Sequence, residues 1–116
     1  MNDLYIQIKE IKELLDLANQ DVGEIKWEGH HPDYPKSITN LMSCIARSDW
    51  MYSDYQDFQI EDIESQASDA DLQYVMATIT KLQRTERWCT GGWIDIFKKR
   101  HLDHLVNRAI HLVEPI

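Results

Sequence analysis

The residue types able to do chemistry gather in one stretch, "RTERWCTGGW" at 84–93, which holds Glu86, Arg87, Trp88, Cys89, Gly91, Gly92 and Trp93. A thiol at the start of a helix ionises more easily, and Thr90, Gly91 and Gly92 stand where a new helix begins. A nucleophilic Cys89 needs a base within hydrogen-bond reach, and Glu86 or His101 is available to supply it. A simpler reading asks for no reaction. Paired glycines let the chain reverse between two helices, Cys89 fills a buried space too small for leucine, and Glu86 and Arg87 are two charges able to pair. One cysteine near one histidine is a weak signal, so this stretch reads as a structural corner. A reversal within three residues then requires a positive φ at Gly91 or Gly92.

His101 and His104 lie three residues apart, on one face of a helix, with His111 two turns beyond His104. Two imidazoles at that spacing still need a third ligand, and neither an H-E-x-x-H pattern nor a cysteine cluster provides it. No metal and no cofactor is expected. Cys44 and Cys89 are the two cysteines, with no CxxC spacing; each falls next to apolar residues, so both read as reduced and buried.

The charge pattern points elsewhere. Of 20 acids, eight fall between Ser48 and Thr80 (Asp49, Asp54, Asp57, Glu61, Asp62, Glu64, Asp69 and Asp71), where there is no Lys or Arg; the other 12 acids balance the chain's 12 bases. The excess of −8 therefore sits in this segment alone. Such a surface repels nucleic acid and anionic membrane and attracts a basic partner. Trp50, Tyr52 and Tyr55 interleave with the acids, and rings beside charges are the usual anchors of protein interfaces. The candidate partner-binding set is Asp49, Trp50, Tyr52, Asp54, Tyr55, Asp57, Glu61, Asp62 and Glu64. The competing reading is that Trp50 and Tyr55 pin a loop to the core and that the basic C-terminal third covers part of the acidity.

These residues need a scaffold, and helical periodicity supplies it. Leu4, Ile8, Ile11, Leu15 and Ala18 make one apolar stripe over 3–19, with Asn2 placed as cap and Leu14 and Leu17 widening the face. Gly23, Gly29, Pro32 and Pro35 make 20–36 a loop, with a short extended piece around Ile25 to Trp27. A second helix over 36–48 buries Ile38, Leu41, Met42, Ile45 and Ala46. The acidic aromatic segment is irregular, with a turn or two of helix between Ile60 and Ala67. The most strongly signalled helix is expected over 69–87, started by the Ser68-x-x-Asp71 pattern and buried through Leu72, Val75, Met76, Ile79 and Leu82. Short and final helices follow at 91–98 and 101–113. The fold class is all-α, a bundle of four to six helices in a single domain spanning 1–116. No apolar run approaches the roughly 20 residues needed to cross a bilayer, and no signal segment opens the chain, so a cytoplasmic protein is expected.

"HPDYP" before a helix, "WMYSDY" after it, and a capped long helix ending in "RTERWCTGGW" together resemble a bacterial and archaeal family of unknown function. That family's hallmark is an Arg-(x)-x-Glu-Arg-Phe-Cys-Asp-Gly-x-Trp stretch. Glu86, Arg87, Cys89, a glycine and Trp93 match it, Trp88 replaces Phe, and Thr90-Gly91-Gly92 stands where the hallmark Asp would be. If that acid capped the short helix, Thr90 can cap it instead. The resemblance spans about 32–113, leaving 1–31 as an N-terminal helix and loop. It implies a compact helical fold and no particular activity.

The function expected is that of a small acidic protein that binds a basic protein surface, as inhibitors, immunity proteins and counter-defence factors of bacteria and phages do. The alternative is an enzyme or nucleotide-related module built on the Glu86–Trp93 corner. A cleft joining Glu86, Cys89 and a histidine would favour the alternative, whereas a convex acidic face would favour the binder.

Overall fold

A computed structural model describes residues 3–57 and 62–115. Asn2, Ile60 and Glu61, each given a part above, lie outside them.

Six α-helices carry the architecture among the described residues: α1 (Asp3–Gln20), α2 (Lys36–Ala46), α3 (Ile63–Gln66), α4 (Leu72–Arg84), α5 (Gly92–Lys98) and α6 (His101–Val113). The fold is all-α, apart from one small hairpin. α1 packs on α2 and α6, α6 also on α4, and α4 on α2, around one buried cluster. The apolar stripes make that cluster, through Ile8, Ile11, Leu15 and Ala18 of α1 and Leu102, Leu105, Val106 and Ala109 of α6. Leu17 departs from expectation, being 53% exposed, whereas Leu14 packs against the core and widens the stripe as expected. Ala46 is likewise exposed at the end of α2.

The loop before α2 is more ordered than its Gly and Pro content implies. β1 (Lys26–Glu28) and β2 (His31–Asp33) pair antiparallel, with Trp27 opposite Pro32. Gly29, at φ +62, starts the two-residue turn between them. Pro32 is compatible with a two-stranded ribbon because every strand there is an edge.

α4 begins three residues later than the start at 69 that its sequence signal implies. Asp71 is the N-cap residue itself, its Oδ1 accepting the Tyr74 N–H at 2.8 Å, and Ser68 belongs to the preceding 3-10 turn Ala67–Asp69. Asp62 caps α3 in the same way, accepting the Ser65 N–H at 3.4 Å. At its other end α4 tightens into a 3-10 turn, Thr85–Arg87, which opens the corner.

In the acidic segment two rings do hold the chain to the core. Trp50 is fully buried and its Nε1–H donates to the Leu4 carbonyl at 3.0 Å; Tyr55 is 5% exposed and lies under the Arg84 guanidinium, 5.1 Å from the ring centre. Both are anchors to the protein's own body and leave no face for a partner, except at the rim of the groove described below.

Candidate functional site

The corner is built around Glu86. Its Oε2 accepts the Gly91 N–H at 3.2 Å, its Oε1 accepts the Trp93 N–H at 3.1 Å, and the Tyr34 hydroxyl donates to Oε1 as well. A carboxylate thus caps α5 from outside the helix, where negative charge is favoured. Gly91 is the N-cap residue, in the left-handed region at φ +85, and Thr90 makes no cap. The expected positive φ falls on Gly91 and not on Gly92. Trp93 closes the assembly: its Nε1–H donates to the Gln83 carbonyl at 3.1 Å and its ring lies 5.2 Å from that of Tyr34, tilted by 49°. Burial, and then the Glu86 carboxylate, push the Tyr34 phenol well above its ordinary range.

Three expectations about this stretch are corrected. Glu86 does not pair with Arg87; it is committed to two amides and a phenol, and Arg87 is exposed. With those donors in place Glu86 is no longer free to serve as a base, and the α5 amides are closed to a phosphate. Cys89 is exposed, not buried, so it fills no core space. Cys44 is half-buried, and burial pushes its thiol up, away from reactivity.

The motif therefore has two faces. Glu86, Gly91, Gly92 and Trp93 are held inside the corner, where a Cβ on Gly92 would lie 2.2 Å from Thr85 Cγ2 and one on Gly91 2.9 Å from Trp27 Cη2. Arg87, Trp88, Cys89 and Thr90 face outward, with Trp88 64% exposed.

Beside the outward face lies a cleft of about 740 Å³. Its floor is apolar, from Ile63 of α3, Leu82 of α4 and Ile96 of α5; Asp62, Glu64, Asp95, Lys99, Cys89 and His101 contribute its polar lining. The acidic segment and the corner, read as separate candidates in the sequence, meet here. Asp95 and Lys99 form an ion pair at 3.1 Å and neutralise one another. Asp62 and Glu64 are exposed and enter no ion pair among the described residues, so the cleft keeps a net negative charge. Burial, and then the Lys99 ammonium, hold the His101 imidazole below its usual range, so at neutral pH it is uncharged.

The remaining predicted partner residues are dispersed. Asp49 is exposed and accepts the Gln7 amide at 2.8 Å; Asp54 is exposed; Tyr52 is half-buried, its backbone N–H donating to Thr80 Oγ1 at 2.8 Å. Asp57 ends the 3-10 turn Tyr55–Asp57, and Glu61 lies outside the described residues. His104 does not line the cleft, and among the described residues no group of three or more His, Cys, Asp or Glu is placed to hold a metal ion. Sequence reading missed Asp95, Ile63 and Ile96 as cleft residues. The i,i+4 pattern of Asp95 and Lys99 was the one available signal, and it looks like any helix-surface pair.

Fold and site together define a small helical protein with an acidic, partly apolar cleft. The chain belongs to DUF6508, a family of unknown function, whose model matches residues 8–115. The match takes in most of α1 as well as the region of resemblance noted above. No curated protein and no solved structure matches the chain. Among the described residues no helix is long and apolar enough to cross a membrane.

Proposed function

We propose that the protein binds a basic segment of another protein in the acidic cleft, in the manner of an inhibitor, immunity or counter-defence factor. One observation carries this reading: Asp62 and Glu64, unpaired among the described residues, rim a concavity floored by Ile63, Leu82 and Ile96. A lysine or arginine suits such a place, since its stem packs on apolar surface while its head meets the carboxylates. Nucleic acid and anionic lipid carry the wrong charge for it.

The test is the affinity of a labelled lysine-rich peptide, and of proteins captured from the native host, for the wild type and for Asp62→Asn/Glu64→Lys. Asparagine keeps the α3 cap, so the fold should survive. Affinity for the basic probe should fall about tenfold or more, chiefly through slower association, and the difference should shrink as salt rises. Equal affinity at low salt would sink the proposal.

A second reading draws on the fact that Cys89 and His101 line the same cleft. An exposed thiol and an uncharged imidazole are the parts of a thiol nucleophile with a general base. Rapid alkylation of Cys89 at neutral pH, slowed in His101→Phe, would support it. A rate equal to that of a free cysteine peptide would remove it.

A further inference from the structure

Leu82 and Thr85 also line a second concavity of about 430 Å³, which Tyr55, Gln56, Lys81 and Trp88 complete, so the two adjoin at the end of α4 as one grooved surface. Its ends differ in chemistry. One carries Asp62 and Glu64; the other has the Trp88 and Tyr55 rings, with Lys81 in the lining and the Arg84 guanidinium stacked on Tyr55. Trp88 is 64% exposed, and its side chain makes no hydrogen bond among the described residues. Trp27, the other exposed tryptophan, lies against Gly91. Trp88 has an open face and an unused indole N–H.

We infer that the Trp88 end of the groove is a second subsite, taking an apolar or aromatic side chain of the same protein segment whose basic residue enters the acidic end. This deepens the reading proposed above and rests on it. Charge order favours one occupant. A basic group is attracted at the Asp62–Glu64 end and repelled beside the Arg84 guanidinium, whereas an uncharged ring meets tryptophan, tyrosine and leucine there. The occupant is therefore an extended or helical segment with its cations at one end and an apolar anchor at the other. Engaging both sites through one backbone raises affinity without any new contact type, provided that the spacer fits.

The experiment uses three sets of acetylated, amidated synthetic peptides against the full chain: Lys-Lys followed by one to five glycines and Trp, the same peptides without Trp, and glycine peptides ending in Trp without lysine. Binding is followed by calorimetry at low salt. We expect one spacer length to bind at least about tenfold more tightly than its Trp-less counterpart. Trp88→Ala should abolish that gain while leaving the affinity of the Trp-less lysine peptide unchanged. Circular dichroism confirms that the variant folds, as exposure of the ring implies. Lysine peptides that bind with no gain from Trp at any spacer would overturn the second subsite and leave the acidic cleft standing. A gain that persists in Trp88→Ala would also overturn it. If no lysine peptide binds, the cleft reading fails first and the subsite with it.

Discussion

The corner and the acidic segment both line the cleft and are held in opposite ways. The corner is fixed by directional contacts: a carboxylate on two amides and a phenol, a left-handed glycine under an indole, and a glycine pressed against Thr85. The acidic segment is pinned by Trp50 and Tyr55; Asp62 makes a local cap, Asp49 accepts one amide, and Asp49, Asp54, Asp62 and Glu64 enter no ion pair among the described residues. Residues that carry stability and residues open to a partner are thus separated along the sequence, and within the motif they alternate. Glu86, Gly91, Gly92 and Trp93 hold, while Arg87, Trp88 and Cys89 are presented.

The sharpest way to break this contrast is at the glycines. A methyl group on Gly92 would sit 2.2 Å from Thr85 Cγ2, which requires the backbone or Thr85 to move. Gly92→Ala should destabilise the fold by about 2–3 kcal/mol, the cost of forcing a close-packed site. Adding Thr85→Ser removes Cγ2 and keeps the hydroxyl that bonds the Lys81 carbonyl, so the double variant should recover a clear part of that loss. Gly91→Val meets both an unfavourable φ of +85 and the Trp27 ring, and should cost more than about 2 kcal/mol. Urea midpoints at constant m-value measure all three. Strictly additive effects of Gly92→Ala and Thr85→Ser would show that the crowding is relieved elsewhere.

Next in size is Glu86. Glu86→Ala leaves two α5 amides and the Tyr34 hydroxyl without their acceptor and should cost about 2 kcal/mol; Glu86→Gln, which retains an oxygen, should cost about half of that. The buried Tyr34 phenol beside it sets a pH dependence. Folding raises the Tyr34 pKa, so the fold favours the protonated phenol. That contribution is complete below the unfolded phenol's value near 10 and is lost as pH rises beyond it. Wild-type stability should therefore fall faster above pH about 10 than that of Tyr34→Phe, read by denaturant titration at a series of alkaline pH values. Parallel curves would show that neither burial nor Glu86 favours the protonated phenol in the fold.

Much of this frame was legible because it follows from local rules. The stripes of α1, α4 and α6 follow from a period of 3.6, and the left-handed glycine follows from the short interval between two helices. What escaped reading is long-range. Glu86 looked like a partner for Arg87 because the two are adjacent, yet its donors come from Tyr34, 52 residues away, and from the next helix. The hairpin was half seen, since Pro32 and Gly29 signal a break without revealing that the strands on either side pair. Cys89 was judged buried from apolar neighbours in sequence, but Trp88 beside it points outward, so the neighbourhood was a poor guide. The cleft itself is a product of tertiary packing, drawn from α3, α4, α5 and α6, and no single segment announces it.

A smaller effect should come from the acidic wall. Asp54→Lys and Glu64→Lys change exposed residues that enter no ion pair among the described residues, so each should move stability by no more than about 0.5 kcal/mol. Any gain from relief of acidic repulsion should fade with salt. Asp62→Ala is the contrasting case, because it removes the α3 cap and should cost about 1 kcal/mol, whereas Asp62→Asn should cost little. Unfolding of the Asp54→Lys/Glu64→Lys pair would show that the acids brace the fold, and the division between a holding wall and a presenting wall would collapse.

The smallest effect is expected at the residue that first draws the eye. A cysteine that filled a core space would cost about 1–2 kcal/mol when cut to alanine, because a small cavity would remain. Cys89 is instead exposed at the mouth of the cleft, its backbone N–H bonded to the Thr85 carbonyl at 2.9 Å whatever the side chain is. Truncation opens no cavity and leaves that bond in place, so Cys89→Ala should shift stability by less than about 0.5 kcal/mol. Its neighbour across the glycine turn, Trp93, carries a half-buried ring and the bond to Gln83, and Trp93→Ala should cost about 3 kcal/mol or more. Measured in the same buffer, the two substitutions four positions apart place the line between the packed and presented halves of the motif. A loss of more than 1 kcal/mol at Cys89 would move that line and return the thiol to the interior.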